Sequence, residues 1–569
     1  MSASVSVNSF WMGLGLALAW VACGGLQAWA QGSPASGVDV MDRESRRERP
    51  GPLSAPRPPS APSAPSASAP ALEESFVLAS LRVEGATAFG SDELVAPYAP
   101  LLGQRVTAGE IQGIASEMSA KYRAAGFILS RVVLPTQEAD PLGAEITLLA
   151  VEGYLDEIAW EGDPATLSKA QAYFAKLEAE LLALRPFRLG PLERALTLAN
   201  EGSGLRVSST FQKSETPNAA SLLIGVKRVE AEGSLSFANS GTESTGPWMA
   251  SGSFSFAGFP QIGDRFVLGY VQAWDWREYY SLSFSLRRQW VGGFALSFAY
   301  AYSESQRPGN IFAKLFDHAT ASHSFELAAN YPIIRGRALN LSLGLSYAHR
   351  DSQAELLGAP FTRDRVRALT LGVNFDFADE WGGVTQIYPS ATFGLDAFGA
   401  TDRDWESSSP LAPASYKRAN LYVSSRRRLP WGFDVAVAGE IQLAGTVLPS
   451  YELFSLGGGR FGRGYDPGTL ESDNGAAVSA ELRRPFRSSE TTGFSPYAFY
   501  DVGGVWPKGQ SAGEDPHEEL ASAGVGLTFF YFPESGSSVS VNTFVAKPLK
   551  TASRDNASPR WFLSASFAF

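Results

Sequence analysis

A single cysteine, Cys23, stands in 569 residues, so neither a disulfide framework nor a cysteine metal site can form within the chain. Histidine is nearly as scarce, with four in all, which leaves little material for a metal site of any kind. Charged residues make up only 18%, and acids outnumber bases for a net charge of −11, which argues against nucleic acid as a main partner. Apart from one stretch near the N-terminus there is no long apolar run, and a mean hydropathy of −0.07 leaves no helical membrane bundle. What the chain has in quantity is glycine, 56 residues, and aromatics, 12%. That mixture suits many strands joined by tight turns.

The one apolar stretch, Phe10 to Leu26, is followed by Gln27-Ala28-Trp29-Ala30-Gln31. Ala28 and Ala30 form an A-x-A cleavage site, which predicts a secretory signal peptide over 1–30 although Met1 to Phe10 carries no Lys or Arg. Glycines interrupt the stretch and it is short for a span, which weighs against an uncleaved anchor. Trp20-Val21-Ala22 is a poor lipobox for Cys23. Cleavage would remove the one cysteine and place the protein outside the cytoplasm. Residues 31–75 repeat Pro, Ser and Ala without an aromatic, too little apolar surface to offset backbone entropy, so a disordered or polyproline-II linker is expected.

Order begins at Phe76. Phe76 to Gly85 reads as a strand ending in a turn, and Thr107-Ala108-Gly109-Glu110 is a capping box. Ile111, Ile114, Ala115, Met118 and Tyr122 then recur at helical spacing, and Gly126 ends the helix as a left-handed cap. Strands at Ile128–Pro135 and Ala144–Val151 complete a unit of strand, helix, helix, strand, strand over 76–153. A second unit of similar size is expected over 154–230, with helices near 165–183 and 190–201 and strands at 204–213 and 219–230.

From residue 231 to 569 the texture changes. Tyr280 to Arg287 alternates apolar with polar, and Phe294 to Tyr300 alternates large with small. Segments of about ten residues with period 2, separated by Gly, Pro, Asn and Asp, are what a transmembrane antiparallel β-barrel requires, since lipid forbids an unpaired sheet edge. At roughly 20 residues per strand and connection, this region holds about 16 strands. In the last strand Trp561, Leu563, Ala565, Phe567 and Phe569 share one face, toward lipid, while Ser564 and Ser566 face a polar lumen.

Residues 457–470, GGGRFGRGYDPGTL, contain the spacing G-x-G-x-x-G. A dinucleotide turn needs those glycines to open a helix, but they run into Arg463-Gly464-Tyr465-Asp466-Pro467-Gly468, which cannot. Gly509-Gln510-Ser511-Ala512-Gly513, with His517 nearby, matches a nucleophile elbow, yet it sits in a polar loop without the strand and helix that chemistry needs. His318 and His323 are expected in a surface loop. No enzyme activity and no cofactor are expected.

The chain resembles the transporters of bacterial two-partner secretion, the TpsB proteins of the ShlB/FhaC/HecB type, whose superfamily includes the barrel-assembly protein BamA. In the first unit the resemblance rests on Gly126-Phe127-Ile128-Leu129-Ser130-Arg131-Val132-Val133-Leu134-Pro135, Gln137, Gly143 and Val151-Glu152-Gly153, similar to the polypeptide-transport-associated (POTRA) pattern. Asn239-Ser240-Gly241 with Thr245-Gly246 resembles the first barrel hairpin. The strongest part is Leu448-Pro449-Ser450, Glu452, Phe454 to Gly458, Arg463-Gly464-Tyr465, Asp473-Asn474-Gly475 and Glu481-Leu482.

The resemblance implies two POTRA domains before the barrel and a long sixth loop, 457–480, folded back inside it. It also implies that Arg463, at the R-G-Y tip, meets Asp501 of Phe499-Tyr500-Asp501-Val502-Gly503. Gly462 stands where the family often has valine. A guanidinium fork suits a carboxylate bidentately, and in a wet lumen such a pair would contribute about 1 kcal/mol, a value suited to a latch. As partners the resemblance implies a large secreted exoprotein bound through its N-terminal secretion domain, outer-membrane lipid, and the barrel assembly machinery during biogenesis. Helix 110–125 and strand 128–135 would form the docking groove. The competing reading within the superfamily is an assembly or insertion factor for other barrels; a passive porin would not need the soluble units.

Overall fold

The computed structural model describes residues 75–569 apart from 139, 203, 230, 243–244, 307–317, 337, 380, 510–516, 534–535 and 551–557. The expected signal peptide, the linker with Cys23 before it, and most of the 509–513 stretch lie outside the described residues. The described chain divides into two compact units, one of residues 75–201 with Leu205–Arg228, the other of Val229–Phe569 with Gly202–Gly204.

The first unit holds two α/β modules. In the first, β1 (Phe76–Glu84), α1 (Ser91–Val95), β2 (Arg105–Val106), α2 (Ala108–Ala124), β3 (Arg131–Val133) and β4 (Ala144–Val151) make a sheet of order β2-β1-β4-β3, with β1 parallel to β4. The Thr107 and Glu110 side chains close the capping box that starts α2, and Ile111, Ile114, Ala115, Met118 and Tyr122 all lie in the core. Each large side chain so buried stabilises the module by about 1.5–3 kcal/mol. The strand expected over 128–135 is reduced to three residues. Gly126 turns at φ +90°, Ser130 donates back to the Phe127 carbonyl, and Pro135 has no donor to continue the ladder.

The second module repeats the plan with β5 (Tyr154–Gly162), α3 (Pro164–Ala183), α4 (Leu189–Gly202), β6 (Leu205–Lys213) and β7 (Ala219–Arg228). Its sheet order is β5-β7-β6, with β5 parallel to β7. Asp163 caps α3 by accepting from the Thr166 N–H at 3.0 Å.

Among the described residues of the second unit, sixteen antiparallel strands close a barrel from Ala231–Ala238 to Arg560–Ala568, with Phe486–Arg487 continuing the strand Asn474–Arg483 along the same neighbour. Period 2 assigns the faces. Leu296 and Phe298 point outward and are exposed, while Ser297, Ser303, Asn420 and Gln442 are polar, buried and point inward. No described helix is long and apolar enough to cross a membrane; the crossing elements are strands. His318 and His323 are not in a loop: the strand His318–Arg335 runs through both, and His323 Nδ1 meets the Tyr300 hydroxyl at 2.9 Å. Strands of this length continue past the apolar band, which a count of ten residues per strand misses.

The first and last strands close the barrel over a short register, Ala238 opposite Ser564 to Ser234 opposite Ala568, and Gly233 and Phe569 exchange two further backbone hydrogen bonds at 2.9 Å. Asn239 extends it with its side chain, donating from Nδ2 to the Trp561 carbonyl at 2.8 Å and accepting at Oδ1 from the Leu563 N–H at 2.7 Å.

Candidate functional site

Between the strands Asp434–Ala444 and Asn474–Arg483 the chain leaves the wall and folds into the lumen. Phe454–Leu456 and Leu470–Ser472 pair as a small hairpin, and Phe454, Leu456, Phe461, Tyr465 and Leu470 pack on Ala477, Val505 and Leu520 of the wall. The tip turns on glycines at positive φ: Gly457 at +103°, Gly458 at +81° and Gly462 at +89°. Gly458 donates to the Tyr465 carbonyl at 3.0 Å and Gly457 to that of Phe461 at 2.9 Å. The φ of Gly462 is strained for any residue with a Cβ, and a Cβ there would stand 2.7 Å from the Leu520 Cδ1. Glycine in place of valine thus matches the bend that the tip takes here.

The F-x-D-x-G spacing places Phe499, Asp501 and Gly503 on one face of their strand, and that face is the lumen. Arg463 meets Asp501 with three donors: its backbone N–H at 2.9 Å, Nε at 3.0 Å and Nη2 at 2.9 Å. Nη1 reaches Glu481 at 2.8 Å and Nη2 also reaches Ser479 at 3.0 Å, while Ser479 donates to Asp501 at 2.7 Å. The guanidinium lies 3.5 Å over the Phe499 ring, and Arg483 holds the other Glu481 oxygen at 2.7 Å. Asp501 is 0% exposed and Arg463 8%. The pair is therefore not the wet, weak contact expected from a lumen. It is desolvated and fully hydrogen-bonded, and removing one partner costs about 3–5 kcal/mol.

Gly464 sits against the wall, its N–H donating to the Ser522 hydroxyl at 3.2 Å, and a Cβ would stand 2.8 Å from that of Ser522. The Tyr465 hydroxyl lies 2.8 Å from the Ala521 carbonyl and 2.6 Å from that of Lys550, and Arg560 donates to the Tyr465 carbonyl at 2.6 Å. A Cβ on Gly475 would collide with the Phe454 ring, and one on Gly503 would stand 2.9 Å from Leu456. The loop base is tied as well. Asp473 accepts from the Leu448 N–H at 2.7 Å and the Lys508 N–H at 2.8 Å.

Two further ion pairs escaped sequence reasoning. Arg418 and Glu452, both almost fully buried, meet at 2.6 Å beside Gln442, and Arg460 meets Glu440 at 3.0 Å over the Tyr422 ring. Arg418, Glu440 and Gln442 are polar at inward positions of period-2 strands, which was the available signal.

The POTRA-pattern residues lie elsewhere, in the first unit. Phe127 packs edge-on to Tyr122 and Phe89. Pro135 follows β3, and Gln137 pairs with both backbone groups of Thr147, at 2.8 and 3.0 Å, prolonging the ladder on β4 where β3 has ended. A Cβ on Gly153 would overlap the Leu129 carbonyl. The two modules join at these residues: Phe187 donates to the Gly153 carbonyl and Leu189 to that of Gly126, each at 2.9 Å. Burial pushes the Glu152 carboxyl up, but N–H groups of Ala88 and Thr87 with the hydroxyls of Thr87 and Tyr122 outweigh it and hold Glu152 below the usual carboxylate range. In the last strand Trp561, Phe567 and Phe569 are exposed on the outer face. Among the described residues no group of His, Cys, Asp and Glu could hold a metal ion.

Two POTRA-type modules before a closed sixteen-stranded barrel with an in-folded loop define an outer-membrane protein whose soluble modules face the periplasm. Residues 76–153 match the POTRA domain of ShlB type, and residues 225–529, more than half of the chain, match the haemolysin secretion/activation protein ShlB/FhaC/HecB family. The chain belongs to that family and is a transporter of two-partner secretion. It is 23% identical over 488 residues to the heme/hemopexin transporter protein HuxB of Haemophilus influenzae, covering 83% of each chain. It is 23% identical to the outer membrane transporter CdiB of Escherichia coli, covering 81% of this chain and 78% of that one. The hemolysin transporter protein HpmB of Proteus mirabilis is 21% identical over 78% of each. In fold, the solved CdiB from Escherichia coli superposes with a TM-score of 0.70 at 18% identity, covering 94% of this chain and 97% of that one.

Proposed function

We propose that the protein recognises one large exoprotein in the periplasm through its two POTRA modules and passes it, unfolded, through the barrel, with no enzymatic step. The observation that carries this reading is the sixth loop: a stretch sealed onto the lumen wall by Arg463, Asp501 and Glu481 stands where a polypeptide would have to pass. Export then requires the loop to shift, and the tip pair is the contact that must break. Folding of the cargo outside supplies the drive in place of ATP. The relatives named for heme/hemopexin and hemolysin transport favour a cargo of that broad kind, with activation of a hemolysin-like protein as one form. During biogenesis the outer-facing Trp561, Phe567 and Phe569 present the terminal strand to the barrel assembly machinery.

Mass spectrometry of culture supernatant and outer membrane tests this, comparing wild type, deletion and Arg463→Ala. The expected result is loss of one large secreted protein in the deletion and a reduced amount of the same protein in Arg463→Ala, with other barrels unchanged. General depletion of outer-membrane barrels with an unchanged supernatant would replace the export reading by that of an assembly factor.

A further inference from the structure

Strand direction assigns the periplasmic rim of the barrel. The first barrel strand follows the periplasmic modules in the chain and neighbouring strands run antiparallel. The fourth strand, Tyr280–Gln289, the tenth, Lys417–Arg428, and the twelfth, Asn474–Arg483, therefore end at that rim, and the eleventh, Asp434–Ala444, begins there. Period 2 then picks out three arginines on the outer face of the rim. Arg288 shares the face of the exposed Leu282, Arg427 that of Leu421, and Arg484 that of Leu482.

Two of the three bring a carboxylate of their own. Arg288 makes a two-pronged bond to Asp264 at 2.6 and 2.7 Å, and Arg427 meets Asp379 at 2.8 Å. Arg484 is exposed, and among the described residues no carboxylate pairs with it and no acceptor takes its N–H fork. It is held all the same. Its guanidinium lies over two rings, 5.1 Å from the centroid of Phe433 and 5.0 Å from that of Phe486. Phe486 stacks on Phe494 at 5.2 Å, and the Arg484 backbone N–H donates to the Pro496 carbonyl at 3.0 Å. Toward the membrane centre the same face is apolar and exposed, with Leu482 and Val478 on one strand and Val437 on its neighbour. A guanidinium positioned above hydrocarbon without a counter-charge favours an anion at the membrane surface.

We propose that Arg484, with Phe433 and Phe486, is the headgroup site for a net-anionic glycerophospholipid of the periplasmic leaflet. The phosphate takes the guanidinium fork, and the acyl chains lie along Leu482, Val478 and Val437. The site faces outward and runs into the lipid-facing strip, so a polypeptide in the lumen cannot reach it. In a chain of net charge −11 it is not a by-product of general positive charge either. Phe433 stands before the eleventh strand and Phe486 just after the twelfth, and the sixth loop leaves from the opposite ends of those two strands. Bound lipid thus pins together the two roots of the loop at the far rim.

The test uses the full-length protein in nonionic detergent and native mass spectrometry, after addition of equal amounts of phosphatidylglycerol and phosphatidylcholine with the same chains. Wild type is expected to retain phosphatidylglycerol in preference to phosphatidylcholine. Arg484→Gln is expected to lose that retention by about tenfold, the loss of a charge-assisted fork, with phosphatidylcholine unchanged. Arg484→Lys keeps the charge without the fork and is expected to lose less. Arg426→Gln removes the same charge from the inner face of the same rim, where Asp434 keeps Arg428, and is expected to behave as wild type. Heat-modifiable migration checks that each variant keeps a closed barrel. Equal retention of the two lipids by wild type, or unchanged retention of phosphatidylglycerol by Arg484→Gln, would overturn the assignment. An equal loss in Arg426→Gln would reduce the effect to net charge and overturn the site. Displacement by inorganic phosphate as effective as that by short-chain phosphatidylglycerol would give the site to a free anion and overturn the lipid assignment.

Discussion

At the scale of single residues the loop tip depends on geometry as much as on charge. Arg463 uses its backbone N–H, Nε and both terminal nitrogens, so Arg463→Lys keeps the charge and loses the fork. The expected outcome is destabilisation of the seated loop by about 3 kcal/mol, close to that of Arg463→Ala, read as more frequent large openings in planar-bilayer conductance. Gly462→Val restores the residue common in the family and is still expected to unseat the tip here, because φ at that position is +89°. Conductance indistinguishable from wild type would show that the tip can adopt another bend. In the first module Glu152 carries a pH dependence with a definite sign. Its carboxyl sits below the ordinary value, so its contribution is complete above a pH of about 4.3 and drains away as pH falls through the depressed value. Glu152→Gln is expected to flatten the acid limb of unfolding for residues 76–153, measured by hydrogen exchange between pH 3 and 6.

At the scale of elements, polar side chains repeatedly finish what a strand begins. Gln137 does so on β4, and Asn239 does so at the closure of the barrel. Asn239→Ala removes two side-chain hydrogen bonds from a short seam and is expected to speed amide exchange in 231–238 and 560–568 by about tenfold, roughly 1.4 kcal/mol, while leaving Leu339–Leu356 unchanged. Asn239→Gln is not expected to rescue it, since one more methylene misplaces the amide. Alternation made the strands legible in the sequence, because period 2 is set by the residue itself: Phe499, Asp501 and Gly503 could be given one face before any pairing was known. Cross-strand partners could not. Arg418 meets Glu452, and Arg460 meets Glu440, only because turn lengths and loop path fix their positions, and nothing in local pattern specifies those. The tip pair itself came from a resemblance, and its burial, with the Phe499 ring against the guanidinium, depends on how the loop seats on the wall, which no spacing reveals.

At the scale of the whole molecule, the barrel was legible from composition, since a long run of alternating stretches follows the helical ones along the chain. The path of the long strands and the joint between the two modules were not, for both depend on contacts distant in sequence. The seat of the sixth loop carries a further consequence, one of timing. Its contacts at Asp501, Ser522, Lys550 and Arg560 belong to chain made after the tip, up to 95 residues later for Arg560. The tip can therefore dock only once the final hairpins are in place, and docking reports that the cylinder is complete. A chain truncated before Arg560 is expected to leave residues 457–470 open to protease in isolated membranes, whereas the intact chain shields them. Loop seating would thus serve as the last step of maturation before it serves as the first obstacle to export.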